Sequence, residues 1–337
     1  MPYHDGAALS SVYAAAREAG YGFFASNVTQ FDILVGLLRG ADRVGADAVV
    51  QVSRESAAFY GDGDPVVGLD AFGAYLERFA ERTDVGVFCN VDHVHLPDQR
   101  DFLDTVVETG VASSVMVDAS DKPFAENVEL VSEAVERVRA GDETMLVEAE
   151  LGRVAGTESG VETAAADAFY TDPEQAVEFV ERTGVDLLAI SVGTQHGVAS
   201  GVDLDVRPDV ARAVDDALRD AGHDIPLVVH GASGLTDEQI AAFLDAGVPK
   251  FNKNTRYQYE YARTAADFYH EHADAVRPPE GVADDRGSMF SGSEWSPDKT
   301  HFHPHVVGGE VRDRLADVMA DLASVTGCAG ETLYAER

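Results

Sequence analysis

The sequence predicts an α/β fold, a (β/α)8 or TIM barrel with a C-terminal helical appendage. Three observations carry this expectation. Apolar runs of strand length alternate with amphipathic segments up to about Thr255, eight such strand–helix units can be counted, and the runs end in polar or ionisable residues. Runs apolar throughout suit strands buried on both faces of a parallel sheet, and closing that sheet brings every polar strand end to one mouth. A doubly wound sheet is the alternative, and it would spread the same residues along a crevice.

Taken in order, an amphipathic segment from Ala7 to Ala19 precedes a first strand at Tyr21–Asn27, and a helix follows from about Phe31 to Val44. Strand two is Ala48–Ser53; a Gly/Asp-rich loop, Gly61–Pro65, leads to a helix around Leu69–Glu81. The third strand, Gly86–His95, is an apolar run that ends in Asp92, His93 and His95. Strand four is Ser113–Ala119, and Pro123–Arg139 is its helix, with proline in the first turn, where the missing N–H costs nothing. Strand five, Thr144–Gly152, is followed by a long loop to Tyr170 and a helix opened by Asp172-Pro173-Glu174. Strand six ends at His196, strand seven at His230, Thr236-Asp237-Glu238 caps the next helix, and strand eight is Pro249–Thr255. Beyond it come a helix to about His270, an irregular stretch to about Pro304 and a final helix near Glu310–Val325. Residues 1–270 are thus expected to form the barrel with its leading helix, and 271–337 an extension packed on the same domain.

Composition narrows the function. The 60 Asp and Glu outnumber 25 Lys and Arg, for a net charge of −35, and the acids are spread along the chain. Such a surface suits a salt-rich cytoplasm and argues against nucleic acid or an anionic membrane as partner, since both require clustered basic residues. No stretch is apolar enough to span a bilayer and the start lacks a signal-peptide pattern. Two cysteines, Cys89 and Cys328, give no disulfide framework, and a reducing compartment is expected.

The chemistry lies at the strand ends, where Asp92, His93, Asp118, Glu150, His196, His230 and Asn252 would ring one mouth. Any single histidine could be a satisfied core residue. Three on equivalent strand ends point instead to a zinc-like ion with one position open for substrate. Glu148 and Glu150 both face the interior only if Ala149 faces the helices, and interior acids need a cation or donors. Asp92 is placed for general acid–base work, or for orienting a ligand histidine. Glu158, in Gly156-Thr157-Glu158-Ser159-Gly160, has the flexible flanks of a residue that closes over substrate, or is a solvated loop acid. The turns His196-Gly197 and His230-Gly231-Ala232-Ser233-Gly234, with Asn254-Thr255, put N–H groups and hydroxyls where such barrels often hold phosphate. His95 is expected in a supporting role, and His301, His303 and His305 as a surface cluster.

From Phe23 to Thr255 the sequence resembles the class II, metal-dependent fructose-bisphosphate aldolases. The resemblance rests on Ala25-Ser26-Asn27-Val28, Gln51-Val52-Ser53, Val91-Asp92-His93, Ser114–Asp118 with Pro123–Asn127, and Glu148–Gly152. It continues through Tyr170–Glu174, Gly193–Gly197, His230–Gly234 and Lys250–Thr255. It implies His93, His196 and His230 as ligands of zinc or another divalent metal, Glu150 and Asp118 at a neighbouring or alternative metal position, and a monovalent cation as a further cofactor. Asp92 would handle the proton of the aldehyde-derived hydroxyl, Glu158 the proton on the ketone half, and Asn252 the enediolate. Gly197, Gly231, Ser233, Asn254 and Thr255 would hold the dihydroxyacetone phosphate end, with Asn27 and Ser53 also in the substrate site. The partners implied are a sugar phosphate and further copies of the chain, as a homodimer or homotetramer.

Three departures from the family pattern bear on substrate. Asn252-Lys253-Asn254-Thr255 replaces Asn-Ile-Asp-Thr, Phe302-His303-Pro304-His305 stands where Phe-Asp-Pro-Arg is expected, and Arg54-Glu55-Ser56 after Ser53 lacks the usual glycines. Fructose 1,6-bisphosphate is the substrate expected, with Arg54 or Arg256 replacing the charge absent at His305. A ketose carrying only the C1 phosphate is the alternative. Two rivals differ in kind: a Schiff-base aldolase using Lys250 or Lys253, and a metal-binding barrel subunit without catalysis.

Overall fold

The structure is a computed structural model that describes residues 5–154, 156–158, 161–163, 169–197, 204–284, 286 and 294–334; the side chains of 156–158 and 161–163 are outside it. Its elements run α1 (Gly6–Ala19), β1 (Phe23–Asn27), α2 (Phe31–Val44), β2 (Ala48–Ser53), α3 (Arg54–Tyr60), α4 (Pro65–Ala80), β3 (Val87–His95), α5 (Arg100–Thr109), β4 (Ser114–Asp118), α6 (Phe124–Gly141) and β5 (Leu146–Leu151). Then come β6 (Gly156–Glu158), β7 (Val161–Thr163), α7 (Pro173–Thr183), β8 (Leu187–Ile190), α8 (Pro208–Asp220), β9 (Leu227–Val229), α9 (Asp237–Asp245), β10 (Lys250–Lys253) and α10 (Thr255–Glu271). The short α11 (Ala273–Val276) and α12 (Lys299–Phe302) lead into α13 (Pro304–Thr326). Eight strands, all paired in parallel, close in the order β1-β10-β9-β8-β5-β4-β3-β2, while β6 and β7 form a separate antiparallel pair.

The period of two along each strand divides the barrel wall into two layers. Outward residues such as Phe24, Val50, Val91, Val117, Ala149, Ile190 and Phe251 pack under the helices in the main core. Inward residues near the strand starts, Phe23, Val49, Phe88, Leu146, Leu187 and Val228, form a second apolar cluster with Leu9, Val12, Tyr13 and Ala16 of α1. Helix α1 therefore closes the amino-terminal end, its Tyr13 ring stacked 5.2 Å from Phe23. Above that plug the inward positions turn polar: Gln51, Asn90, Glu148 and Lys250, then Asn27, Asp92, Asp118, Glu150, His230 and Asn252, all buried.

The structure corrects the expectation at four places, the first being strand six, which ends at Ile190 and leaves His196 in the segment beyond it. Arg54-Glu55-Ser56 is the first turn of helix α3, capped by Ser53, whose Oγ accepts from the Ser56 N–H at 3.2 Å. The long loop before Tyr170 contains β6 and β7. The final helix begins two turns earlier than Glu310, with His303 as N-cap and Pro304 at its first position, and runs to a left-handed cap at Gly327. Its Val311, Leu315, Val318 and Met319 belong to the main core, so α13 is a full member of the helical layer. Cys89 and Cys328 are free and buried, and burial pushes the Cys89 thiol up to about 12.

Candidate active site

Three histidines meet at the carboxyl-terminal mouth: ligand atoms of His93, His196 and His230 all lie within 4.8 Å of one another. His230 continues β9, and His196 lies in the segment after β8. His93 reaches the group through an irregularity. Asp92 already faces inward, and strict alternation would turn His93 outward. Between Val91 and Val94 the register with β4 shifts, and His93 adopts a left-handed φ of 48°, so both side chains enter the mouth.

Buried carboxylates orient two of the rings in opposite senses. His93 Nδ1 lies 3.0 Å from Asp118 Oδ2, leaving Nε2 towards the centre. His230 Nε2 lies 2.9 Å from Glu148 Oε1, leaving Nδ1 towards the centre, 3.1 Å from His93 Nε2. That separation is close to the roughly 3.3 Å between two nitrogens that share a tetrahedral ion at about 2.0–2.1 Å. Burial lowers the His230 pKa, which favours the neutral imidazole a metal needs. Glu148 is charged despite burial because Lys250 Nζ, wholly enclosed, pairs with its other oxygen; it is held at about 2. Burial alone would raise Asp118, but hydrogen bonds from His93 and His95 hold it well below the usual carboxylate range.

Glu150 is the opposite case. It faces the lumen 3.6 Å from His230 Nδ1, and burial, followed by the charge of Asp118, pushes it up to about 8. A carboxyl among carboxylates, beside imidazole nitrogens aimed at one point, is a donor set short of a cation. The residues fit a divalent metal. His95 and Asp118 form a second such group with His93, His95 Nδ1 lying 3.4 Å from Asp118 Oδ2.

Asp92 is buried next to this group. Its Oδ2 accepts from Asn27 Nδ2 at 2.8 Å, and Asn252 Nδ2 lies 3.4 Å from its Oδ1. Asn27 is itself held by Gln51 at 2.9 Å, Gln51 by Asn90 at 2.9 Å, and Asn90 by Ser114 at 2.7 Å. The chain of amides crosses four strands and ends on one carboxylate, fixing its position. Sequence reading passed over Asn90, and gave Gln51 no role and Lys250 only that of a rival nucleophile. The available signal was a polar residue inside an otherwise apolar run, as in Val87-Phe88-Cys89-Asn90-Val91.

A small pocket opens above these groups, lined by Asn27, Asp92, His93, His196, Gly197, His230, Gly231, Ser233, Asn252, Asn254 and Thr255. Eleven expected site residues thus share one wall. The buried Oδ1 atoms of Asn252 and Asn254 have no partner there. Gly231 has φ +68°, and a Cβ would stand 2.7 Å from the Gln195 carbonyl, so only glycine makes this turn. Ser53 is adjacent to Asp92 in register but is not among the lining residues, its hydroxyl being occupied in capping α3. Asp118 and Glu150 stand behind the histidines. The Glu158 side chain, Ser159 and Gly160 lie outside the described residues. His301, His303 and His305 are on the α12–α13 junction, where His301 pairs with Asp298 at 2.9 Å.

A family model described as Fructose-bisphosphate aldolase class-II matches residues 7–331. D-tagatose-1,6-bisphosphate aldolase subunit GatY of Klebsiella oxytoca is 39% identical over 190 residues, 55% of this chain; the match spans 63% of that curated relative's length. A crystal structure of fructose-bisphosphate aldolase from Campylobacter jejuni has the same fold, with TM-score 0.81 over 98% of this chain and 97% of that one, at 22% identity. The YdjI aldolase of Escherichia coli K12 gives TM-score 0.69 at 25% identity, over 96% of this chain and 98% of that one.

Proposed function

The chain belongs to the class II fructose-bisphosphate aldolases, and from that premise we propose that it is a lyase that cleaves a ketose bisphosphate, fructose 1,6-bisphosphate first, into dihydroxyacetone phosphate and glyceraldehyde 3-phosphate. The observation that carries this is the His93–His196–His230 group, backed by Asp118 and Glu148 and sharing a cavity with Asp92. His93 through Nε2, His230 through Nδ1 and His196 would hold the ion, and an all-imidazole set favours zinc. When bound, it supplies Lewis-acid stabilisation of the charge that C–C cleavage leaves on the ketone half. Asp118 and Glu148 keep the two rings in the ligating tautomers.

The remaining roles belong to the chain. Asp92, fixed by Asn27 and Asn252, takes the proton of the C4 hydroxyl as the C3–C4 bond breaks. Glu158 returns a proton to C3 of the ketone half, and Asn252 steadies its oxygen. Gly197, Gly231, Ser233, Asn254 and Thr255 receive the C1 phosphate on backbone N–H groups and hydroxyls. For the far phosphate, Arg256 is already engaged with Glu260 at 2.7 Å, whereas Arg54 follows β2 beside Asp92 with no carboxylate partner among the described residues. Arg54 is therefore the cation we assign to that end. Lys250 and Lys253 are poor Schiff-base candidates: the first is paired with Glu148 and the second lies outside the lumen. A salt-rich cytoplasm and a homodimer or homotetramer belong to the same proposal.

The test is the initial cleavage rate of zinc-loaded protein in high salt on fructose 1,6-bisphosphate, its C4 epimer tagatose 1,6-bisphosphate, and fructose 1-phosphate. Preference for a bisphosphate, lost in Arg54→Ala, is expected. Equal rates on the monophosphate would remove the second phosphate from the proposal, and no cleavage of any of them with zinc bound would remove catalysis.

A further inference from the structure

Lys253 is buried, with 4% of its surface exposed, yet it has no place in the lumen. Lys250 and Asn252 take the inward positions of β10, so Lys253 follows Phe251 to the outer side. There its Nζ stands 4.5 Å from the centre of the Phe24 ring and donates at 2.8 Å to the carbonyl oxygen of Ala232. Ala232 begins the single 3-10 turn Ala232–Gly234 after β9, whose neighbours Gly231 and Ser233 line the cavity. The turn is tied to β10 a second time, the Asn254 N–H donating to Ser233 Oγ at 3.3 Å.

The charge balance around this lysine is unusual. The other buried lysine, Lys250, faces Glu148, whereas Lys253 has no carboxylate partner among the described residues. The charged groups that bear on it are Arg256, which opposes its protonation, and Asp237, which favours it less strongly. A buried ammonium satisfied only by one carbonyl and one ring face is unfavourable unless an anion comes near. The side of the turn that faces the cavity is where the substrate phosphate is proposed to sit.

We propose that Lys253 is a positioning residue for that phosphate: it fixes the Ala232–Gly234 turn through the Ala232 carbonyl and supplies, from behind the turn, the positive charge that a bound dianion neutralises. The inference rests on the turn being the phosphate site. Burial brings the lysine down to about 7, so above neutral pH it is largely uncharged in the empty protein. A dianion in the turn raises its affinity for a proton, and binding then draws one proton from solvent onto Nζ.

The experiment is calorimetric titration of the zinc-loaded protein with inorganic phosphate at pH 8.5, where free phosphate is already dianionic, in two buffers of different ionisation enthalpy. Uptake approaching one proton per phosphate is expected, with little in Lys253→Met. K253M should also weaken phosphate binding about tenfold and raise the KM for the ketose phosphate by a similar factor, while kcat falls far less and zinc affinity is unchanged. Wild-type phosphate affinity and proton uptake in K253M would overturn the proposal. Should K253M fail to fold, absence of uptake in the unaltered protein overturns it equally. Ser233→Ala separates the two layers of the argument. If S233A weakens phosphate binding and K253M does not, only the role of Lys253 falls; if neither does, the turn is not the phosphate site.

Discussion

Glu150 shows how a single side chain ties the site to stability. Burial first, and then Asp118, push its pKa from the ordinary 4.5 up to about 8. The folded protein keeps this proton where the unfolded chain has lost it, so stability present below 4.5 is lost as pH rises through 8. In metal-free protein, Glu150→Gln should therefore raise the melting midpoint by a few degrees at pH 8 and change it little at pH 5. Scanning calorimetry at the two values checks this, and an equal shift at both would mean that Glu150 is not protonated in the folded state. The residue scale is also where the sequence was most legible. His93, His196 and His230 each end an apolar run, which marked them without any knowledge of distance. The pairing of Lys250 with Glu148 was not legible, because those residues are 102 positions apart and only barrel closure brings β5 and β10 across from each other.

Among the elements, α13 packs into the barrel's outer layer through Val311, Leu315, Val318 and Met319. It lies along α2 at close range because α2 carries Gly36 and Gly40 on the contact face: a Cβ at Gly40 would stand 2.4 Å from the Ala316 carbonyl oxygen, and one at Gly36 would stand 2.7 Å from Leu315 Cβ. Arg312 and Asp32 pair across the same seam at 2.5 Å. Alanine has the better helix propensity, but here the clash is with backbone and cannot be relieved by a rotamer change. Gly40→Ala is thus expected to destabilise the protein by about 1–3 kcal/mol, measured by urea unfolding; a gain in stability would show that the seam yields freely. Seven of the eight barrel strands were legible to within two residues because their apolar runs are bounded by polar ends, as at Ala48–Ser53, whereas strand six was expected to reach His196 and ends at Ile190. The helix α3 was missed because its seven residues carry no apolar period and its signal is one capping serine. The start of α13 was misplaced because Pro304 looks like a breaker, whereas at the first position of a helix it is an initiator.

For the whole molecule, topology does what no local motif can. Chain order separates Asp92, His196, His230 and Asn252 by up to 160 positions, and parallel closure puts all four on one mouth. The amino-terminal end is closed by α1, so the polar groups of the lumen communicate with solvent on the side of the histidines. Among the described residues no helix is long and apolar enough to cross a membrane. A surface carrying a net charge of −35 repels itself at low ionic strength, so assays belong in concentrated salt, where screening falls to about 3 Å at 1 M. The central claim is that three imidazoles, one on β3 and two in the segments that follow β8 and β9, hold one ion on which cleavage depends. The most direct measurement titrates zinc into chelator-treated protein and follows the cleavage of fructose 1,6-bisphosphate. Activity rising from nothing and reaching its plateau at one equivalent per chain, with His230→Ala inactive throughout, is the predicted result. Full activity in metal-free protein, or none with the ion bound, would contradict it.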